Sequence, residues 1–198
     1  MSDQRDQTLP DVSETLLKLL QATLGAGNVA LGPPKNAQTL LTLFLYKVVE
    51  NPFLKNEGRR VRQDQNGRFI EQEPPLVVDL YYLLTAHAIG QNNPFPNAHR
   101  ALGRAMRVFY DNGILSGSVI QASEFGLTSD AFLRVTLNPI SMEDMTRIWS
   151  VFPDTQYELS VTYLVTPVPI ESARTLGSAP VVDQIHDQGH LDAARVGS

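Results

Sequence analysis

The sequence contains no cysteine, and this absence excludes several kinds of chemistry at once. A disulfide framework, a thiol nucleophile and a cysteine-ligated metal site all need residues that the chain lacks. No apolar run approaches the roughly 20 residues that cross a bilayer as a helix. The first seven residues are polar and lack the apolar core of a signal peptide. We therefore expect assembly in the cytosol and no direct insertion into a membrane.

Positive charge is also scarce, with 16 lysines and arginines against 21 acids and a formal net charge of −5 at pH 7. A surface that neutralises phosphates normally leaves a domain basic, so we exclude nucleic acid as the main partner. The 198 residues, 42% of them hydrophobic, suffice for one well-buried core. We expect one domain over residues 9–170, between a flexible N-terminus at residues 1–8 and a flexible C-terminal tail at residues 171–198.

The stretch from Pro74 to His87 is the centre of the fold prediction. Strand alternation would place Leu76, Val78, Leu80, Tyr82 and Leu84 on one face and Val77, Asp79, Tyr81, Leu83 and Thr85 on the other. Both faces are largely apolar, which is typical of a central strand covered on both sides. A buried helix is the alternative, because periodicity alone does not separate the two for an apolar run. The opening prolines and the β-branched and aromatic residues favour the strand.

Hydrophobic periodicity predicts the other elements. We expect amphipathic helices at residues 10–24, 97–111 and 141–152, with Asn97 as the N-cap of the second and Ser141 with Asp144 as a capping-box variant in the third. We expect strands at residues 39–49, 114–121, 131–137 and 157–166. The first of these resembles a second central strand. The last alternates apolar and polar residues as at a sheet edge, and its following prolines should end ladder pairing.

Patterns that would carry catalysis or bind metal are weak. Gly25-Ala26-Gly27 follows a helix and fits no phosphate-binding motif, and Ser116-Gly117-Ser118 does not fit G-x-S-x-G. Asp79 is the only acid inside a strongly apolar strand; it is either a catalytic group or, as we favour, a structural group paired with an arginine or a backbone donor. His186 and His190 would lie one turn apart on a helix, but no third ligand is fixed. We predict no enzyme activity, cofactor or metal.

Two basic clusters are candidates for binding a partner. Residues 55–68, which we term the basic arm, carry a net charge of +3 on a chain that is net acidic. Long polar loops are usually functional or disordered, so the arm is either a contact with an acidic partner or a solvated excursion. Three arginines on one face of the second helix, which we term the arginine stripe, are either a docking surface or a solvated face. The candidate residues are Lys55, Arg59, Arg60, Arg62 and Arg68 in the arm and Arg100, Arg104 and Arg107 in the stripe.

Five short segments, in their order along the chain, are similar to a known family. They are Leu45-Tyr46-Lys47-Val48-Val49-Glu50-Asn51-Pro52, the strand from Pro74 with Asp79-Leu80-Tyr81-Tyr82-Leu83-Leu84, Leu102-Gly103-Arg104-Ala105-Met106, Arg147-Ile148-Trp149-Ser150-Val151-Phe152, and Tyr157-x-Leu-Ser-Val-x-Tyr-x-Val-x-Pro-Val-x-Ile170. This ordered set resembles the N-terminal domain of cap proteins from phage-tail-like contractile injection systems. The resemblance spans about Leu9 to Ile170.

The resemblance implies an α/β (α+β) fold, tail-terminator-like, with a mixed, largely antiparallel sheet flanked by helices. Members of this family are tail terminators, which form a six-fold ring on the end of the inner tube and contractile sheath and end their polymerisation. It thus implies a homo-hexamer with the inner tube protein and the sheath protein as partners, in a particle that is released or membrane-associated. Two alternatives stay open: a baseplate or tube-associated adaptor of the same machine, and a small hydrolase using Asp79 and a nearby histidine.

Overall fold

The computed structural model describes residues 7–35, 38–55, 60–63, 69–90, 92–116, 132–172 and 175–178. The helices are α1 (Thr8–Leu24), α2 (Pro94–Asp111) and α3 (Met142–Trp149). The strands are β1 (Val29–Leu31), β2 (Leu41–Glu50), β3 (Arg60–Gln63), β4 (Phe69–Gln72), β5 (Leu76–Ala86), β6 (Ile114–Ser116), β7 (Phe132–Leu137), β8 (Ser160–Ile170) and β9 (Thr175–Ser178). The chain divides into two units, one of residues 1–58 and 74–173 and the other of residues 59–73 and 174–198.

The larger unit is built on a six-stranded sheet with the order β1-β2-β5-β8-β7-β6. The β1–β2 pair is parallel, and the remaining pairs of this sheet are antiparallel. A mixed, largely antiparallel sheet with helices confirms the predicted fold class.

The prediction of a central strand after Pro74 is confirmed, because β5 lies between β2 and β8. Leu80, Tyr82 and Leu84 point into the main core, whereas Leu83 belongs to a second cluster. Successive side chains of a strand point to opposite faces, so these two clusters lie on opposite sides of the sheet. The β5 strand therefore has both faces covered.

Helices α1 and α2 cover the face of the main core. Helix α1 buries Val12, Leu16 and Leu20, which are spaced at four residues and so share one side of the helix. Helix α2 buries Ala98, Ala101, Leu102, Ala105, Val108 and Phe109. Its small residues let the helix approach the sheet closely, and its polar side remains exposed.

Helix α3 covers the other face of the sheet. Met145 and Trp149 pack on Leu83, with Phe44 and Phe152 partly buried beside them. The predicted cap is confirmed, since the Ser141 hydroxyl accepts a hydrogen bond from the backbone N–H of Asp144 at 3.1 Å. Met145 and Trp149 are buried on the amphipathic side of this helix, whereas Met142 is 64% exposed at its first position.

The prediction for β8 as an edge strand that ends before its prolines is wrong. This strand pairs with β5 on one side and β7 on the other, and its pairing with β5 continues to Ile170. Its polar side is also covered, because Ser160 and Thr162 are buried. Buried hydroxyls need partners: Thr85 and Ser160 are joined by a hydrogen bond of 2.9 Å, and Thr162 donates to the carbonyl of Asn138.

Two smaller predictions need correction. Helix α2 begins at Pro94 after Asn93 in the left-handed conformation, so Asn97 is inside the helix and does not cap it. Strand β2 is central over its first residues only, since β1 pairs with Leu41 to Leu43 and the residues from Lys47 to Glu50 are exposed. The register with β5 shifts between Leu45 and Lys47, which marks a bulge at Tyr46.

The smaller unit contains a three-stranded sheet with the order β3-β4-β9. The β3 and β4 strands pair antiparallel from Arg60↔Gln72 to Gln63↔Phe69, as the two strands of a hairpin do. Residues 64–68, which link the two strands in the sequence, lie outside the described residues. Residues Thr175–Ser178 of the predicted flexible tail instead form β9, which pairs with β4.

Candidate partner-binding surface

The arginine stripe lies on the solvent side of α2, as its helical spacing predicts. Arg100, Arg104 and Arg107 are all exposed, because the opposite side of the helix carries the apolar residues that bind the sheet. Arg100 donates a hydrogen bond from Nη1 to Oδ1 of Asn97 at 2.9 Å. Within the described part of the chain, Arg104 and Arg107 form no salt bridge. Their charges are thus available to an acidic surface.

The residues of the basic arm are divided between the two units. Lys55 belongs to the larger unit and forms an exposed ion pair with Glu50 at 3.2 Å. Arg60 and Arg62 are in β3, opposite Gln72 and Ile70 respectively, and therefore belong to the smaller unit. Arg59 and Arg68 lie outside the described residues. The contact of the arm with a partner stays a prediction.

An open groove of about 640 Å³ lies where the last turns of α2 meet β6 and β7. Its lining residues are Met106, Arg107, Phe109, Tyr110, Gly113, Ile114, Arg134, Val135, Thr136, Leu137 and Tyr163. Three of the apolar or aromatic side chains are largely exposed: Tyr110 at 88%, Ile114 at 59% and Leu137 at 46%. A cluster of exposed apolar groups rimmed by charge is typical of an interaction site.

Two aromatic residues of the core also line the groove. The rings of Phe109 and Tyr163 stack edge to face with their centroids 4.8 Å apart. Tyr163 is only 4% exposed, and burial raises the pKa of its phenol to about 12. Among the described residues its hydroxyl has no hydrogen-bond partner. The groove therefore has a neutral phenol in its lining and two arginines, Arg107 and Arg134, around it.

Asp79 is a structural group of the sheet. Its Oδ1 accepts a hydrogen bond of 2.9 Å from the side-chain amide of Asn51 and another from the hydroxyl of Thr166. Asn51 uses its own Oδ1 to accept the backbone N–H groups of Phe53 and Leu54, which fixes the turn after β2. We expected an arginine or a backbone donor beside Asp79, and this prediction is wrong because both donors are neutral side chains.

A second polar group lies around His87, just after the end of β5. The ring is 2% exposed and contacts the hydroxyl of Thr42 through Nε2 at 2.8 Å and a carboxylate oxygen of Glu158 through Nδ1. Eight positions of extended chain separate His87 from Asp79, roughly 26 Å at 3.3 Å per residue. The two residues therefore do not form the acid–histidine pair that a hydrolase would need.

The described ranges contain no group of three or more His, Asp or Glu side chains placed to hold a metal ion. The predicted histidine pair, His186 and His190, lies outside them. None of the described helices is both long and apolar enough to cross a membrane.

Sequence reasoning missed the groove because its residues come from four separate elements. Tyr110 and Ile114 flank the end of α2, while Arg134 and Tyr163 are on β7 and β8. An exposed aromatic residue could have indicated the groove from the sequence, since Tyr110 falls on the polar side of the helix. Their proximity to Arg134 depends on the pairing of β6 with β7, which no local pattern encodes.

Comparison with known proteins assigns the chain to a family. Residues 11–184 match the family described as the Pvc16 N-terminal domain, and the chain belongs to that family. No curated protein matches the chain.

Two solved structures have a similar fold. One is the sheath/tube terminator of an extracellular contractile injection system, PVC, in its extended state: TM-score 0.64, 20% identity and 94% of this chain covered. The other is the anti-feeding prophage cap, a tube-terminating cap: TM-score 0.64, 17% identity and 88% of this chain covered. This chain spans 65% and 58% of the lengths of those two chains.

Proposed function

We propose that this protein is a structural, non-catalytic cap of a contractile injection system, which ends the growth of the inner tube and the contractile sheath. The observation that carries the proposal is the similarity in fold to two such terminators over most of this chain, together with its membership of the Pvc16 N-terminal domain family. Its partners are the inner tube protein, the sheath protein and further copies of itself, in a phage-tail-like particle.

A ring-shaped cap requires one surface of each subunit to bind a different surface of the next, repeated until the ring closes. We propose a homo-hexamer, because a cap matches the six-fold symmetry expected of the tube end. The rigid α/β layers of the larger unit would hold the ring surfaces in place. The arginine stripe and the basic arm would supply contacts to tube or sheath, since these basic residues stand out on a net acidic chain.

The proposal is tested by assembling purified inner tube with and without the full-length protein. We expect shorter tubes whose ends carry a ring in negative-stain images, and a hexameric mass for the tube-bound protein by crosslinking and mass spectrometry. Tubes of unchanged length with undecorated ends would contradict the cap function. A ring only on the baseplate end of complete particles would instead identify an adaptor.

A further inference from the structure

The groove between α2, β6 and β7 has the features of a site for an extended polypeptide. Strand β6 is the edge of the six-stranded sheet and pairs with only three residues of β7, from Phe132 to Arg134. Beyond them the N–H of Val135 bonds the carbonyl of Gly113 at 2.9 Å. Alternation along β7 turns the backbone of Leu137 to the same side as that of Val135, and among the described residues no strand pairs with Leu137 there. A segment entering here can add to the sheet edge.

The charges around the groove indicate which charge the bound segment should have. Arg107 projects from α2 and Arg134 from β7, and none of the lining residues is acidic. Within the described ranges neither arginine forms a salt bridge. Two unpaired guanidinium groups beside an apolar wall favour a carboxylate, because planar bidentate pairing with carboxylate is the preferred geometry of arginine.

Tyr163 places a hydrogen-bond donor in the wall of the groove. Its side chain is 4% exposed and lines the groove, and its hydroxyl, which makes no hydrogen bond within the described residues, reaches solvent. A ligand carboxylate or backbone carbonyl in the groove would accept a hydrogen bond from this hydroxyl.

We propose that the groove binds an extended segment of a partner protein that carries aliphatic side chains next to a carboxylate. The aliphatic side chains would pack on Tyr110, Ile114 and Leu137, and the carboxylate would bind Arg107 and Arg134. The backbone of the segment would pair with β7 at Leu137, whose N–H and C=O point away from β8 as those of Val135 do. This inference rests on the groove and holds whether or not the protein ends tube growth.

The test is a titration of the full-length, ¹⁵N-labelled protein with two blocked pentapeptides, Val-Asp-Val-Glu-Val and Val-Lys-Val-Lys-Val. We expect the acidic peptide to cause saturable shifts in the backbone amide signals of Ile114, Thr136 and Leu137, and the basic peptide to cause none. The double variant Arg107→Gln with Arg134→Gln should bind the acidic peptide about tenfold more weakly, which corresponds to about 1.4 kcal/mol. Tyr163→Phe keeps the ring and should also weaken binding.

The matched control removes two other exposed cations, through Lys18→Gln with Lys35→Gln, and should bind like the wild type. Equal weakening in the control would overturn the proposal, because the effect would then come from net charge. An equal response to the basic peptide, or no saturable response to the acidic one, would also overturn it. Shifts of the same amides on concentrating the protein without peptide would show that a second copy occupies the groove instead.

Discussion

Asp79 shows how a single polar side chain can hold the middle of an apolar sheet. It joins β5 to the turn after β2 through Asn51 and to β8 through Thr166. These partners are 28 and 87 positions away in the chain. The sequence alone predicts that such an acid needs a partner, but not which one, because the partner depends on strand order.

We predict that Asp79→Asn lowers the free energy of unfolding by about 1–2 kcal/mol. The substitution keeps one oxygen acceptor but removes the negative charge that strengthens both hydrogen bonds. Urea denaturation at neutral pH measures the change. Glu50→Gln is the matched control, because Glu50 is an exposed acid whose ion pair with Lys55 contributes little. Equal stability of Asp79→Asn and the wild type would contradict the structural role.

Tyr82 makes a second buried polar contact, this time in the main core. Its ring is fully buried, and its hydroxyl bonds the hydroxyl of Ser13 on α1 at 2.8 Å. Burial raises the pKa of the phenol from 10.0 to about 12, and the hydrogen bond to Ser13 partly opposes the rise. The folded state therefore keeps its proton over a pH range in which the unfolded state loses it.

We predict that this phenol contributes stability that is fully present below pH 10 and is lost as the pH rises from 10 to about 12. Its loss over that window amounts to roughly 1–3 kcal/mol. At pH 7, Tyr82→Phe should lower the free energy of unfolding by about 1 kcal/mol, because it removes the hydrogen bond to Ser13. Above pH 10, the stability of this variant should fall less steeply than that of the wild type. Chemical denaturation between pH 7 and 12 measures both, with the exposed Tyr110→Phe as control. An unchanged alkaline slope for Tyr82→Phe would be evidence against the assignment.

At the scale of elements, helix α3 is short and yet buries Leu83 on one face of β5. Trp149 contributes much of this packing. Its side chain packs on Leu83, and its ring contacts the rings of Phe152 and Tyr157 at centroid distances of 6.1 and 5.4 Å. The apolar spacing and the Ser141 cap made this helix predictable from sequence. Both signals are local and lie within twelve residues of one another.

We predict that Trp149→Ala destabilises the larger unit by about 3–5 kcal/mol, because it leaves a cavity under α3 that the short helix cannot fill. Met142→Ala in the same helix is the control and should change stability by less than about 0.5 kcal/mol, because Met142 is exposed. Thermal denaturation followed by circular dichroism compares the two. A small effect of Trp149→Ala would mean that α3 contributes little to the stability of this face.

Strand β8 shows where sequence reasoning fails at the same scale. Pro167 and Pro169 predicted the end of the strand, yet Val168 and Pro169 pair with Val78 and Val77 of β5. The two prolines are two residues apart, so their missing N–H groups fall on the same side of the strand. Strand β7 pairs with β8 only as far as Thr166, so the side away from β5 needs no donors there. A proline is tolerated where a strand becomes an edge, and only the three-dimensional order of strands shows where that is.

At the scale of the whole molecule, charge is distributed unevenly. The chain carries a net charge of −5, whereas α2 presents three arginines on one exposed side. The helical period made this stripe predictable from sequence. What the stripe binds was not predictable, because a solvated helix face and a docking surface have the same pattern.

We predict that Arg100→Glu with Arg104→Glu weakens binding of the protein to assembled tube or sheath by about tenfold or more and leaves its own folding intact. Both side chains are exposed, so the substitutions remove no core contact, whereas two charge reversals turn attraction to an acidic partner into repulsion. Co-sedimentation with tube at low and moderate salt measures the effect, which should shrink as salt screens the wild-type attraction. Lys18→Glu with Lys35→Glu makes the same change in net charge on α1 and after β1, and should bind like the wild type if the stripe is the contact. If both double variants lose binding equally, the effect comes from the net charge of the protein and not from the stripe. If the stripe variant binds as tightly as the wild type, the contact lies elsewhere on the molecule.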